Sequence, residues 1–506
     1  MKILTTEQIR QADNYTIQHE PINSVDLMER AASAFVDWFI ANVSRQKPVK
    51  VFCGPGNNGG DGWAVARLLA EEGYSAVNLY LLKISDKLSP DSEINRQRLI
   101  NQAKVQITEI VAESEFPEIH PDEVIIDGLF GSGLSRPLEG LAVSLVHFLN
   151  ESKRSQLIAI DIPSGLFGED NRNNDSGHIV KADVTLTFQF PKLSFLFPEN
   201  SAFVGKWEVI PIGLHKDFIR DVVTRFHYLT GNEVSAMIQP RAKFSHKGTY
   251  GNGLLISGSY GMMGAAILAS GAAIRSGIGL VTAHVPRYGY AILQGAVPEA
   301  LISIDSSDII FSEYPPLDKY NAVAVGPGLG QKENSQRALK KLLTEVKVPL
   351  VIDADGLNII SQNQDWIDLI PENSIITPHP KEFERLFGKY DDHFSRNNAQ
   401  MELSVKHKLY IVLKGAHTAI SCPDGACYFN TTGNPGMATG GSGDVLTGII
   451  LSLLSQGYPQ KEAALTGVYI HGLAGDIAAS QTGQQALIAS DIINSIGKAF
   501  INLENL

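Results

Sequence analysis

The chain predicts two α/β domains in tandem. Three observations carry that expectation. Its 506 residues exceed what one ordinary hydrophobic core encloses. Short β-branched runs alternate with helix-length stretches in both halves, the pattern of right-handed βαβ units around a mostly parallel sheet. Glycine-rich turns follow strands in each half, where such sheets place their ligands. Hydrophobic residues at 44% and charged residues at 19% suit folded α/β architecture and leave no long disordered region.

Thr5, with Gln8 three residues on, reads as a capping box that opens a first helix. Neither a basic-then-apolar leader nor a bilayer-length apolar run occurs, so a cytoplasmic protein independent of membranes is expected. A net charge of −12 argues against nonspecific nucleic-acid binding, which needs a cationic surface. Any phosphate must be held locally, by glycine-loop amides. The three cysteines, Cys53, Cys422 and Cys427, are sparse enough for a reducing compartment, although a Cys422–Cys427 pair stays open.

In the first half, Val49 to Cys53 reads as a buried strand, GPGNNGGDG at Gly54 to Gly62 as a turn, and Trp63 to Glu72 as a helix ending at Gly73. Further strands are expected at 76–82, 123–127, 157–161, 183–187 and 207–212. The charged, Pro-containing stretch 213–247 contains the junction, placing the domains at 1–220 and 221–506. The second half restarts with a strand at 253–257, a Gly-Ser-Tyr-Gly turn and a small-residue helix at 264–276. Strands follow at 322–326, 350–353, 374–377 and 410–414, then a hairpin to Asn430 and two helices. The halves share no motif at corresponding positions, which indicates fusion and not duplication.

Oxygen-bearing side chains gather at three strand ends of the first half: Asn57, Asn58 and Asp61, then Asp127, then Asp161 and Ser164. Asn58, Asp127 and Ser164, with backbone carbonyls, make an oxygen-only set of one formal charge, suited to a monovalent cation such as potassium. The Asn pair alone equally reads as turn chemistry. The loop Gly131, Ser132, Gly133, Leu134, Ser135, Arg136 combines free amides with a guanidinium and reads as a diphosphate cradle. Asp161 in Ile-Asp-Ile-Pro-Ser-Gly emerges from an apolar strand, a setting that desolvates a carboxylate and suits it to proton transfer; a turn-capping role is the bland alternative.

With Leu27-Met28-Glu29-Arg30, these segments resemble the epimerase domain for hydrated NADH and NADPH, over residues 1 to 215. The resemblance implies a Rossmann-like three-layer sandwich that interconverts R and S hydrates. It implies that Asn57, Asn58, Gly59, Gly60, Asp61, the Gly131 to Pro137 loop and Asp161 contact the hydrate, with potassium on Asn58, Asp127 and Ser164.

The strongest segment of the second half is Asn434-Pro-Gly-Met-Ala-Thr-Gly-Gly-Ser-Gly443-Asp444, leading into an apolar helix at 445–454. Small residues let backbone amides approach a phosphoryl group, and the helix dipole favours its negative charge. No Gly-Lys-Ser/Thr follows, so this is not a lysine-bearing P-loop. Asp444 is placed to accept a proton from an attacking hydroxyl; helix-terminal stabilisation is its bland reading. Lys414-Gly415-Ala416-His417-Thr418, Gly326-Pro-Gly328-Leu-Gly330 and Thr377-Pro-His379-Pro380 each follow a strand and belong to the same sheet edge.

These segments, with Ser245 to Gly251 and Asp353-Ala354-Asp355, resemble the nicotinamide-hydrate dehydratase branch of the ribokinase-like superfamily over residues 225 to 506. That resemblance implies ADP as co-substrate with Mg2+, held by Lys414 to Thr418 and Gly443. It places the hydrate at Ala265, Gly328, His379 and Asp444, and implies a homo-oligomer. Lys381 departs from the family's usual glycine, which questions the local backbone and adds a cation near the pocket. A ribokinase-class small-molecule kinase fused to a dinucleotide-binding domain is the alternative, and a non-catalytic N-terminal half is another.

Overall fold

The computed structural model describes residues 1–74 and 76–506. They divide into two compact units, residues 2–224 and residues 225–506 together with Met1. Each is built around its own sheet, wholly parallel in the first and mostly parallel in the second.

The first unit contains β1 (Val49–Cys53), β2 (Val77–Leu82), β3 (Gln106–Ile110), β4 (Val124–Gly128), β5 (Gln156–Ile160), β6 (Val184–Phe188) and β7 (Lys206–Ile210). They form a seven-stranded sheet in the order β3-β2-β1-β4-β5-β6-β7, with every pairing parallel. The order reverses direction between β1 and β4, the crevice where doubly wound sheets bind dinucleotides. The central strand β1 is buried throughout, as a strand covered on both faces must be. Helices Ser24–Asn42 and Asn57–Glu71 pack one face around Phe35, Phe39 and Trp63, and Leu141–Glu151 covers the other through Leu145 and Leu149. Three layers result, as expected.

The capping box at Thr5 forms on helix Thr6–His19: the Thr5 hydroxyl accepts from the Gln8 amide. One expectation needs correction. Most of GPGNNGGDG is not a turn, because helix Asn57–Glu71 already starts within it. Glycine is needed there for close approach and not for a bend: a Cβ at Gly59 would lie 1.9 Å from the Gly54 carbonyl oxygen. Strand β3 was not anticipated, since an edge strand half open to solvent lacks the continuous apolar run of its neighbours.

The second unit contains β8 (Phe226–Tyr228), β9 (Asn252–Ile256), β10 (Leu280–Val285), β11 (Leu301–Ile304), β12 (Ala322–Val325), β13 (Leu350–Ile352), β14 (Ile375–Ile376), β15 (Tyr410–Leu413), β16 (Ala419–Ser421) and β17 (Cys427–Phe429). Their order is β8-β17-β16-β15-β14-β13-β12-β9-β10-β11, parallel except for the hairpin strands β15-β16-β17. One face carries helices Met263–Arg275, Ser442–Ser455, Gln460–Thr482 and Ala489–Glu504; the other carries Glu333–Glu345, Asp355–Gln362 and Pro380–Phe387. Three helices follow the hairpin where two were expected, and β8, β10 and β11 were not foreseen. Cys422 and Cys427 are free buried thiols, each pushed up to about 12 mainly by burial. Among the described residues, no helix is long and apolar enough to cross a membrane.

Candidate active sites

The first cavity, about 490 Å³, opens at the carboxyl edge of the N-terminal sheet. Helix Thr6–His19 contributes Ile9, Arg10 and Asp13, the β1 end contributes Asn57, Asn58 and Asp61, and the loop after β4 contributes Gly131 to Leu134. Asp161 follows β5 and lines the same space. The structure thus brings together most of the residues singled out in the sequence. Gly59 and Gly60 lie buried behind the wall, and Ser135, Arg136 and Pro137 lie outside the lining. The guanidinium expected from Arg136 comes instead from Arg10, whose Nη2 donates to the Gly133 carbonyl at 3.4 Å.

Asp161 was expected in an apolar setting, and this is corrected. Lys192, 2% exposed at its side chain, sets its ammonium 2.7 Å from Asp161 Oδ1, and the Phe188 amide donates to the same oxygen at 3.0 Å. Lys192 is itself held by the Thr187 hydroxyl at 3.0 Å. Asp161 adopts φ +62°, a left-handed conformation that a non-glycine residue holds only where surrounding bonds over-determine it. Its own amide donates to the Leu186 carbonyl at 2.8 Å. Burial, then the charges of Asp161 and Asp13, push Asp61 well above the usual carboxylate range.

Asp127 is wholly buried beneath this cavity. Its carboxylate accepts from the Ser164 hydroxyl at 2.6 Å, the Ser164 amide at 2.8 Å and the Leu129 amide at 3.1 Å. Burial nevertheless outweighs these bonds and pushes Asp127 up to about 6. The Asn58 side chain, 8% exposed, leaves its Nδ2 without a partner, and its Cβ and amide group pack at the Gly131 backbone. The Asp127 carboxylate and the Ser164 hydroxyl thus lie together, the Asn58 amide packs at Gly131 in the loop whose Phe130 amide bonds Ser164, and among the described residues no cationic side chain pairs with Asp127.

The second cavity, about 730 Å³, lies at the carboxyl edge of the C-terminal sheet. Helix Ser442–Ser455 points its N-terminus at it, with Gly441 at φ +89° as the N-cap and Gly443 and Asp444 in the first turn. A side chain at Gly441 would meet Leu268 at 2.4 Å, so small size and left-handed geometry are both required there. Lys414, from the end of β15, bonds Asp353 Oδ1 at 2.9 Å, while Thr447 donates to Asp353 Oδ2 at 2.8 Å. Burial opposes the Lys414 charge, but Asp353 and Glu382 together raise its affinity for the proton. Asp444 forms no such pair. Burial first, then Asp353, push it up to about 7 against the pull of Lys414.

Gly415, Ala416, Thr418 and Gly443 line this cavity as well. His417 does not: its Nδ1 sits 3.1 Å from the Asn430 carbonyl oxygen. His379 lines the cavity and also caps helix Pro380–Phe387, its Nδ1 accepting from the Lys381 amide at 3.1 Å. Lys381 stands in that helix's first turn with ordinary backbone and an exposed side chain, so glycine is not required and its cation stays off the cavity wall. Ala265 and Gly328 stand together, a Cβ on Gly328 falling 3.0 Å from that of Ala265, but neither lines this cavity. His471 went unnoticed in the sequence. Half-buried on the cavity wall beside the Ser442 hydroxyl at 3.2 Å, it is pushed down to about 4 by desolvation and so stays neutral. Ala354, at φ +48°, is the strained counterpart of Asp161 in this half.

Residues 24–194 match the YjeF-related protein N-terminus family, and residues 253–498 match the NAD(P)H-hydrate dehydratase family. A bifunctional NAD(P)H-hydrate repair enzyme from Thermofilum pendens is 36% identical over 512 residues, covering 99% of this chain and 96% of its own. One from Coxiella burnetii is 36% identical over 496 residues, covering 96% of each. The crystal structure of a ribokinase-like superfamily protein from Enterococcus faecalis, 29% identical, superposes on 56% of this chain and 99% of its own with a TM-score of 0.50. Fold and sites thus define a fused two-domain α/β enzyme, a Rossmann-like half followed by a ribokinase-like half. More particularly, the chain belongs to the family of bifunctional NAD(P)H-hydrate repair enzymes. Its N-terminal half carries the YjeF-related domain and its C-terminal half an NAD(P)H-hydrate dehydratase domain.

Proposed function

We propose that the two cavities divide this repair between them: the first interconverts the R and S hydrates of NADH and NADPH, and the second dehydrates the S hydrate. The observation that supports this division is the pair of carboxylates, Asp161 and Asp444, each at a cavity on the carboxyl edge of its own sheet.

In the first cavity, Asn57, Asn58, Asp61, the Gly131 to Leu134 loop and Arg10 hold the dinucleotide, the loop amides and Arg10 taking the diphosphate. Asp161 moves the proton. Asn58, Asp127 and Ser164 fit a potassium ion, since they offer oxygen ligands around an uncompensated buried carboxylate. Bound there, a potassium ion would supply fixed positive charge to the site.

In the second cavity, Lys414, Gly415, Ala416, Thr418 and Gly443 receive ADP, carried with Mg2+. Asp444 takes the proton of the added hydroxyl as that oxygen attacks the β-phosphorus, and the first-turn amides of helix Ser442–Ser455 stabilise the charge on the transferring group. AMP departs. The electron pair of the ring nitrogen then expels the phosphate, the neighbouring ring carbon gives up a proton as its C–H pair forms the ring double bond, and NAD(P)H and free phosphate result. Asp444, at about 7, is ionised often enough near neutrality to accept that proton.

Incubating the full chain with hydrated NADH and ADP tests the proposal. The expected result is recovery of NADH absorbance from both epimers with AMP and free phosphate; a stable phosphorylated product would point to a kinase of the ribokinase class and overturn it.

A further inference from the structure

Beside Asp61 and Asp161 the first cavity holds a third carboxylate, one that no sequence motif marked. Asp13, on helix Thr6–His19, opens into the same space as Asp161. Its oxygens carry no hydrogen bond or ion pair among the described residues, whereas Asp161 is tied to Lys192 at 2.7 Å. The same cavity is walled by Asn58, 8% exposed, whose Nδ2 lacks any partner. Buried polar atoms are left unsatisfied where a ligand is to complete them.

We propose that Asp13 and Asp161 work as a proton-sharing pair, Asp161 as base toward the hydroxyl of the hydrated ring carbon and Asp13 as acid toward the ring nitrogen. The inference rests on the epimerase reading of this domain and names its second proton-transfer group. The reacting carbon bears both a hydroxyl and the ring nitrogen, so it is a carbinolamine. As Asp161 takes the hydroxyl proton, the oxygen's electron pair forms the C=O bond and the carbon–nitrogen bond breaks. The released pair stays on nitrogen, which Asp13 protonates. Rotation of the aldehyde about its C–C bond presents the opposite face. The nitrogen then attacks, its proton returns to Asp13, and the oxygen recovers its proton from Asp161. Both carboxyls end as they began, and no oxidant or further reactant is consumed.

The surroundings divide the roles. Lys192 sets positive charge directly against Asp161. Asp13 has no such contact: burial first, then the charge of Asp161, push it up to about 6 with Lys192 opposing. Asp61 faces the same cavity but is itself pushed well above the usual carboxylate range, by burial first and then by Asp161, Asp13 and Asp91, and Arg10 supplies a cation on the cavity wall. Pairs of carboxyls whose environments hold one protonated and one ionised are the usual basis for acid–base assignment.

The test uses the full chain without ADP, following conversion of the pure R hydrate of NADH by chromatography. Asp13→Asn is expected to lower epimerisation kcat by about 100-fold or more while leaving KM little changed, and Asp13→Glu to recover most of the loss. Wild-type kcat should fall as pH rises through about 6, where the acid loses its proton, and the residual rate of Asp13→Asn should lack that limb. An unchanged unfolding transition of the N-terminal domain in each variant, together with recovery by Asp13→Glu, shows that this domain is folded. If wild type interconverts the epimers and Asp13→Asn does so equally well, or keeps the pH limb, the inference is overturned. Failure of wild type to interconvert them would remove the epimerase reading itself.

Discussion

Asp161 and Asp444 occupy similar places, each just beyond a parallel sheet at the mouth of a cavity, but their electrostatic surroundings are opposite. Asp161 is locked to a buried ammonium, while in the second domain the ammonium of Lys414 is engaged by Asp353, leaving Asp444 unpaired. A permanently paired carboxylate suits reversible proton exchange with a neutral substrate. An unpaired one held near 7 suits a base that must take a proton and release it in each turnover. The carboxyl edge of a sheet thus serves two chemistries, with Asp161 directly after a strand and Asp444 in the first turn of a helix, and the domains differ in where each places its lysine.

The contrast is broken most severely by Asp444→Asn. Dehydration should fall by about 10²–10⁴-fold, the range for loss of a general base, with R-to-S conversion unaffected when hydrates are resolved by chromatography. Lys192→Met should abolish epimerisation and, by leaving a largely buried carboxylate unpaired, destabilise the N-terminal domain by about 3–5 kcal/mol in denaturant unfolding. The contrast is sharpened by pH. Asp444 is raised from 3.8 to about 7 and acts when ionised, so dehydratase kcat/KM should climb as pH rises toward about 7 and level off above it. A flat profile between pH 5 and 8 would remove Asp444 as the base. The smallest effect is expected from Lys381→Gly: under about 1 kcal/mol of stability and no change in kcat, because the residue is helical, exposed and off the cavity wall.

Much of this was legible before the structure. Glycine-rich segments bounded by β-branched runs marked the sheet edges, and Asn57, Asn58, Asp61, Asp161, Lys414, His379 and Asp444 all line the cavities they were expected to line. The partners of those residues were not legible. Lys192 sits 31 positions beyond Asp161 in a stretch without periodicity, and it reaches Asp161 only because β6 pairs alongside β5. Asp13 and Arg10 lie on an amphipathic first helix whose polar side reads as solvent-facing until the cavity is seen to open against it. His471 is a lone histidine in a long apolar helix, where a satisfied core residue is the default reading. Edge strands β3 and β11 were missed for a common reason: their exposed positions dilute the apolar run that marks a buried strand.

The central claim is that the two activities reside in separate cavities and communicate through a released hydrate. It is tested most directly by mixing two inactive chains. Asp161→Asn alone should consume only the S hydrate, and Asp444→Asn alone should interconvert the epimers without forming NADH. Combined with ADP and an R/S mixture, the two should together return all of it as NADH at a rate set by the slower domain. A mixture that stops where Asp161→Asn alone stops would contradict the account.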